Sequence, residues 1–387
     1  MRNDPTRAQY VGIAQPAKLG ALLRVGPEPL SFYWSQPSIG LHVAAIGRQA
    51  VGDVKWIDGA APAWCFGGWT FDGREDWFVP EVVAWWDGRE SWLAAIASDA
   101  QSARNRLNEV KETPPSPSGR GVGVRERDLR QDAWNKLITA GLAEIDRGTF
   151  EKVVCARTIE VQFPGVIDER TVLKSLEARH PKCWTFMFRQ PNGVFLGSSP
   201  ELLLDASDGV WRVDALAGTA AAGKGEALLS DDKERREHQA VVSWISSVVD
   251  SYSIEFSAPS TPGIKQLANV DHLHTELSGR LKSDCDPLDL ARALHPTPAV
   301  AGNPQKEAVA WLRANEGFDR GWYTGAIGAR GPGKVTLAVG LRSALLRGSK
   351  ATVYVGAGVV KGSTPEREWI ETERKATALL DALGVSS

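Results

Sequence analysis

An α+β fold, with large antiparallel-rich β-sheets packed between and flanked by helices, is predicted from three features of this chain. Its strand-like segments are long, the gaps between them are of hairpin scale, and helical segments interrupt them in blocks instead of alternating with them. A doubly wound parallel sheet would need a crossover helix after most strands. The 387 residues, 43% apolar and 24% charged, are those of an ordinary globular protein. Such a chain buries roughly three-quarters of its unfolded surface without a disulfide or structural metal.

In chain order, Ser31–Gln36 (SFYWSQ), Leu41–Ile46 and Ala63–Phe71 are aromatic or β-branched runs bounded by Gly and Pro, and read as strands. A strand pair is expected over Trp85–Ala97, with Asp87-Gly88 as its turn. The pattern turns helical over Gln101–Val110. Lys111–Asp128 (KETPPSPSGRGVGVRERD) breaks the composition with prolines, glycines and mixed charge, and reads as a loop or linker. Its GRGVG lacks the preceding strand and lysine of a phosphate loop. Ala133–Arg147 has helical apolar spacing and a Gly-Thr stop. Strands follow at Lys152–Val161, Trp184–Phe188, Val194–Ser198, Leu202–Asp205 and Trp211–Ala215, then a long helix over about Asp232–Ser251. The later strands are Leu267–Leu273, Gly321–Arg330, Lys334–Leu346 and Ala351–Val360, before a closing helix from about Pro365 to Leu383. The expected division is a β-rich N-terminal half (1–110), a linker or mobile loop (111–131) and a catalytic region (132–387).

Forty-five basic and 47 acidic side chains leave a formal charge of −2, too little basic field for nucleic-acid binding by counterion release. Cys65, Cys155, Cys183 and Cys285 lie far apart, without metal spacing, and read as buried thiols of a reducing compartment. Arg2, Asp4, Arg7 and Lys18 occupy the N-terminus without the apolar core of a signal peptide, and no 18-residue apolar run offers a membrane span. A cytoplasmic protein is expected.

Two helix starts carry glutamates three apart: Glu234 and Glu237 in DDKERREH, and Glu368 and Glu371 in EREWIE, with Lys375 four residues beyond Glu371. Alone, each pair reads as a solvated helix flank. Each follows a Gly-rich strand end, however, Ala217-Gly218-Thr219 or Gly356-Ala357-Gly358, where backbone N–H groups can approach a small carboxylate. Two glutamate pairs converging there would repel one another without a cation, and oxygen ligands beside an anionic substrate suit Mg2+.

Nine motifs then fall in one order: FEKVVCAR (Phe150–Arg157), GSSPELLL (Gly197–Leu204), ALAGT (Ala215–Thr219), DDKERREH (Asp231–His238), NVDHLHT (Asn269–Thr275), LHPTPAVAGNP (Leu294–Pro304), GWYTGAIG (Gly321–Gly328), GLRSAL (Gly340–Leu345) and GAGVVKGSTPEREWIETERK (Gly356–Lys375). In these the chain resembles the chorismate-utilising enzymes, and among them the isochorismate synthases, over about Asp132–Leu383.

The resemblance implies the chorismate-binding (anthranilate synthase component I-like) fold, chorismate as substrate and Mg2+ as cofactor. It implies that Lys152 is the general base on an attacking water and Glu201 the general acid at the departing C4 hydroxyl, with His272 near that leaving group. By itself Lys152 reads as an edge lysine, on the face of Phe150 and Val154, and Glu201 as a turn residue. The resemblance makes Glu237 and Glu371 the principal metal ligands, with Glu234 and Glu368 a second pair reaching the ion through water. Gly218, Thr219 and Gly358 surround the substrate carboxylates, Tyr323 and Arg342 hold the side-chain carboxylate, and Lys375 lies near the metal-bound one. Ala299 stands where relatives that eliminate pyruvate have threonine, which favours isomerisation. The relatives that insert ammonia lack the base lysine, so no glutamine amidotransferase subunit is expected.

Ala220, Ala221 and Ala222 replace the arginines usual after Ala-Gly-Thr, and His274 is given no role. A salicylate synthase-type isomerase-lyase is distinguished by pyruvate release. A catalytically weak chorismate-binding protein is distinguished by stoichiometric binding without turnover.

Overall fold

The computed structural model describes residues 10–16, 30–48, 54–56, 64–87, 89, 91–97, 101–103, 105, 124–125, 130–331 and 333–385. Two large sheets dominate them. One runs in the order Gly302–Asn303, Lys152–Gln162, Lys350–Val360, Ser343–Arg347, Gly193–Ser199, Trp184–Gln190, Leu30–Gln36, Leu41–Ile46, Val82–Asp87, Ser91–Ala97, Tyr10–Pro16 and Val54–Trp56. The other runs Ser253–Ser257, Val270–Leu281, Val210–Ala221, Leu202–Ser207, Lys334–Val339, Ala326–Gly331, Cys65–Trp69 and Glu75–Phe78. Every described pairing is antiparallel except Tyr10–Pro16 with Val54–Trp56. The antiparallel α+β architecture expected from hairpin-scale gaps is the one found.

The faces of each strand explain the layering. Along Lys152–Gln162, Val153 and Cys155 pack under the helices Arg130–Asp146 and Gln305–Asn315, whereas Ala156 faces the aromatic layer between the sheets. That layer holds Phe32, Trp34, Phe66, Phe78, Phe186 and Phe188 from both sheets. The outer face of the second sheet is covered by Asp232–Tyr252 and Pro287–Leu294, through Val241, Ile245, Val249, Leu288 and Leu294. Burying side chains of this size contributes about 1.5–3 kcal/mol each. Strands from before and after the expected linker share both sheets: Leu30–Gln36 pairs with Trp184–Gln190, and Cys65–Trp69 with Ala326–Gly331.

Four expectations are corrected. The run Lys334–Leu346 is not one strand: Lys334–Val339 and Ser343–Arg347 belong to different sheets, with the chain turning at Gly340–Arg342. Gly321–Gly325 is a turn preceding the strand Ala326–Gly331. Leu267–Asn269 separates the strands Gly263–Gln266 and Val270–Leu281. Phe150 precedes its strand and packs with Val153 and Cys155, on the face opposite Lys152. Within the expected linker, Val124–Arg125 pairs with Val161 and Gln162. The rest of Lys111–Asp128, Gly88 of the expected Asp87-Gly88 turn and most of Gln101–Val110 lie outside the described residues.

Candidate active site

The chain passes between the two sheets at two neighbouring places. Ser199-Pro200-Glu201 leads from Gly193–Ser199 into Leu202–Ser207, and Gly340-Leu341-Arg342 leads from Lys334–Val339 into Ser343–Arg347. The crossings are stitched together: Val339 N donates to Glu201 O (3.1 Å) and Ser198 N to Arg342 O (3.2 Å). Arg342 turns the corner with φ 47°, in the left-handed region that non-glycine residues seldom occupy.

A cleft at this seam encloses about 850 Å3, counting its mouth open to solvent. Twelve of the fourteen predicted site residues line it: Lys152, Glu201, Gly218, Thr219, Glu237, His272, Ala299, Tyr323, Arg342, Gly358, Glu371 and Lys375. The other two stand beside the lining residues. Glu234 Oε2 accepts from Thr219 N at 3.0 Å, and Glu368 couples electrostatically to Glu371.

The acidic end is built by two helix N-termini. Asp231 caps Asp232–Tyr252 by accepting from Lys233 N and Glu234 N, and Thr364 caps Pro365–Ala382 by accepting from Arg367 N. Both caps place glutamates in or next to a first turn, where the helix dipole favours negative charge. Lys152 Nζ donates to Glu237 Oε1 at 2.7 Å, Lys375 Nζ meets Glu371 Oε1 at 2.6 Å, and Lys233 Nζ lies 3.5 Å from Glu234 Oε1. Burial pushes the Glu237 carboxyl up, but the Lys152 ammonium outweighs it and holds that group below the usual range. Burial and then the Glu237 charge raise Glu234, and burial and then Glu371 push Glu368 up to about 7.

Glycine makes this crossing of side chains possible. A Cβ on Gly358 would lie 3.1 Å from Lys152 Cε and 3.4 Å from Glu237 Oε1, so the ion pair passes over a bare backbone. At Gly218 a positive φ of 77° opens a bulge between Ala217 and Thr219, and that bulge aims Thr219 N at Glu234. These glycines lie inside long strands, not at their ends, and they admit side chains of the site itself.

Glu201, 3% exposed, also lines the cleft. Burial first, then the Asp214 charge, raises its carboxyl to about 8, against which Lys265, a Thr297 Oγ1 donor at 3.4 Å and Lys152 pull only partly. His272 Nδ1 lies 3.2 Å from both Gly218 O and Thr219 Oγ1, and burial holds the imidazole down to about 3. A neutral ring whose Nδ1–H donates to Gly218 O leaves Nε2 as an acceptor. Tyr323 stacks on Tyr354 with centroids 5.3 Å apart, and its phenol is held protonated by burial. Arg342 Nη1 is buried with no protein partner among the described residues, a guanidinium that calls for an anion.

The motif reading passes over Tyr354, Thr297 and the group Asp214, Lys265 and His274. Tyr354 carries no sequence signal beyond strand alternation. Thr297 stands within HPTPAV, and the other three become neighbours only through strand register. His274 is a correction: its Nε2 contacts Asp214 Oδ1 at 2.7 Å.

A profile of the family described as "Chorismate binding enzyme" matches residues 74–384. The chain belongs to the chorismate-binding enzyme family. Within it, the chain is 37% identical over 299 residues to the salicylate biosynthesis isochorismate synthase of Pseudomonas aeruginosa, covering 75% of this chain and 62% of that one. It is 29% identical over 419 residues to the isochorismate synthase MenF of Bacillus subtilis, covering 91% and 88%. The solved structure of MenF, the menaquinone-specific isochorismate synthase from Escherichia coli, superposes on 97% of this chain and 94% of that one. Its TM-score is 0.85 at 26% identity. No helix among the described residues is long and apolar enough to cross a membrane.

Among the described residues, no three carboxylate, imidazole or thiolate groups are gathered closely enough to hold a metal ion. The four glutamates instead turn to lysines, the Thr219 N–H and the Ser363 side chain. In kind they fit a hard divalent cation: four carboxylates from two helix starts, two of them raised by burial and then by a neighbouring glutamate.

Proposed function

We propose that this chain isomerises chorismate to isochorismate with magnesium, adding water at C2 and losing the hydroxyl at C4, as a step toward menaquinone or catechol siderophores. The observation that carries this reading is the pairing within one cleft of a buried glutamate that keeps its proton to about pH 8 with a lysine beside an acidic cluster.

Lys152 takes the proton from the water that attacks C2, and Glu201 gives its proton to the C4 oxygen as that bond breaks. Lys152 can act as a base only as the neutral amine, so its contact with Glu237 gives way in the working complex. Arg342 and Tyr323 hold the side-chain carboxylate, Arg342 through its unsatisfied guanidinium. Gly218, Thr219 and Gly358 surround the ring carboxylate, with Lys375 beside it, once the Thr219 N–H exchanges Glu234 for the substrate and the Lys152–Glu237 pair over Gly358 opens. His272 offers Nε2 as a neutral acceptor near the leaving oxygen. Glu237 and Glu371, backed by Glu234 and Glu368, would hold the magnesium ion. When bound, it supplies positive charge at the ring carboxylate as the hydroxyl departs.

Water as the nucleophile requires no ammonia-supplying subunit. Ala299 in the cleft wall supports release of isochorismate intact. The test is chromatographic identification of products from chorismate with wild type and Glu237→Gln, each over a magnesium titration. Isochorismate from wild type, with a loss of about 10- to 100-fold and a raised magnesium requirement in the variant, is expected. No isochorismate from wild type overturns the reading, and an unaltered titration in the variant overturns the metal assignment.

A further inference from the structure

Behind Glu201 lies a buried charge that this chemistry does not use. Asp214, in the strand Val210–Ala221, is buried. Its Oδ2 accepts from Leu202 N at 3.3 Å and from Lys265 Nζ at 2.8 Å, and its Oδ1 lies 2.7 Å from His274 Nε2. Lys265 Nζ also donates to Pro200 O at 2.6 Å. The carbonyl before Glu201 and the amide after it are thus tied to one Asp–Lys pair. Strand register assembles the group: Leu216 opposes His274, and Lys265 opposes His272.

A buried ion pair is an uncertain source of stability, since an apolar set of similar volume often serves as well. What this pair does beyond packing is act on Glu201. We infer that Asp214, clamped by Lys265 and His274, is a positioning residue for Glu201, fixing the backbone on both sides of the acid and presenting it with a permanent neighbouring anion. The inference rests on the reading of Glu201 as the proton donor.

The electrostatics agree. Burial works against the Asp214 carboxylate, but the His274 hydrogen bond and Lys265 hold its pKa down to about 2. Two carboxyls in one pocket are pushed apart, one ionised and one protonated at neutral pH, as an acid site requires. The charged groups acting on Glu201 are Asp214, Lys265 and Lys152, with Arg342 and Glu237 lining the same cleft.

The test compares Asp214→Asn, Asp214→Glu and His274→Ala with wild type, measuring kcat, KM and the pH profile. Asp214→Asn keeps the shape and an acceptor for Leu202 N but removes the charge. It should lower kcat roughly 10- to 100-fold with KM for chorismate nearly unchanged. Its basic limb should move to lower pH, because Glu201 without the anion loses its proton earlier. Asp214→Glu should restore part of kcat. A folded Asp214→Asn with wild-type kcat and basic limb overturns the inference.

Should Asp214→Asn fail to fold, His274→Ala reads the same coupling from a more exposed position. A lower kcat at constant KM supports the role, and wild-type kcat with an unmoved limb overturns it. Glu201→Gln separates the two claims. If it is inactive while Asp214→Asn behaves as wild type, only the role of Asp214 falls. If Glu201→Gln turns over normally, the acid assignment falls and takes this inference with it.

Discussion

Glu237 and Glu201 line the same cleft, and burial pushes both carboxyls upward, yet they end on opposite sides of the ordinary carboxylate range. Glu237 is in direct contact with the Lys152 ammonium at 2.7 Å, whereas the second-largest influence on Glu201, after burial, is another anion. In the acidic cluster, Glu237, Glu371 and Glu234 each have a lysine Nζ within 3.5 Å. At Glu201 burial first, reinforced by the Asp214 charge, disfavours ionisation. Under similar burial, the charge of the neighbouring group leaves one glutamate low and the other high.

The hardest way to break this contrast is at Lys152. Lys152→Ala should reduce isochorismate formation by about 10³-fold while leaving the far-ultraviolet circular dichroism of the folded protein unchanged. Near-normal turnover would remove the lysine from the chemistry.

Glu201→Gln sharpens the other side, with an expected loss of about 10²- to 10³-fold and a gain in stability. The sign follows from linkage. Glu201 has a folded pKa of about 8 against an ordinary 4.5, so between these values the unfolded chain ionises while the folded chain keeps its proton. Wild type should therefore lose stability relative to Glu201→Gln as pH rises from about 4.5, the gap levelling off above about 8. Denaturant unfolding of both proteins across that range measures it, and a gap independent of pH would mean that Glu201 titrates as an ordinary carboxyl. For the same reason wild-type kcat/KM should fall as pH rises through about 8.

The smallest effect is expected at Ala299. Ala299→Thr should add a minor pyruvate signal, read by a coupled lactate dehydrogenase assay, to an otherwise isomerising profile. A product mixture without pyruvate would detach this position from the choice between isomerisation and elimination.

The antiparallel architecture and the cleft residues were legible because each rests on local signals: strand alternation, glutamates three apart at two helix starts, and short motifs that keep their order. What stayed hidden depends on distant partners. Nothing in the apolar run Lys334–Leu346 signals that it changes sheets, because the turn at Gly340–Arg342 is held by Gly325 O and Ser198 N from elsewhere in the chain. The face assigned to Phe150 was wrong because alternation was extended past the true start of the strand at Lys152. Asp214, Lys265 and His274 lie on three strands and meet only through register, so no spacing rule could unite them. The alanines at 220–222 remain without a structural explanation.

The two stitched crossings have a consequence for dissecting this protein. Lys152 and Gly358 belong to one sheet, Gly218 and His272 to the other, and Glu201 and Arg342 to the threads between them. No excised fragment built around a single sheet can contain all the residues that line the cleft. The contributions of its residues are therefore separated one side chain at a time, not by excising a sheet.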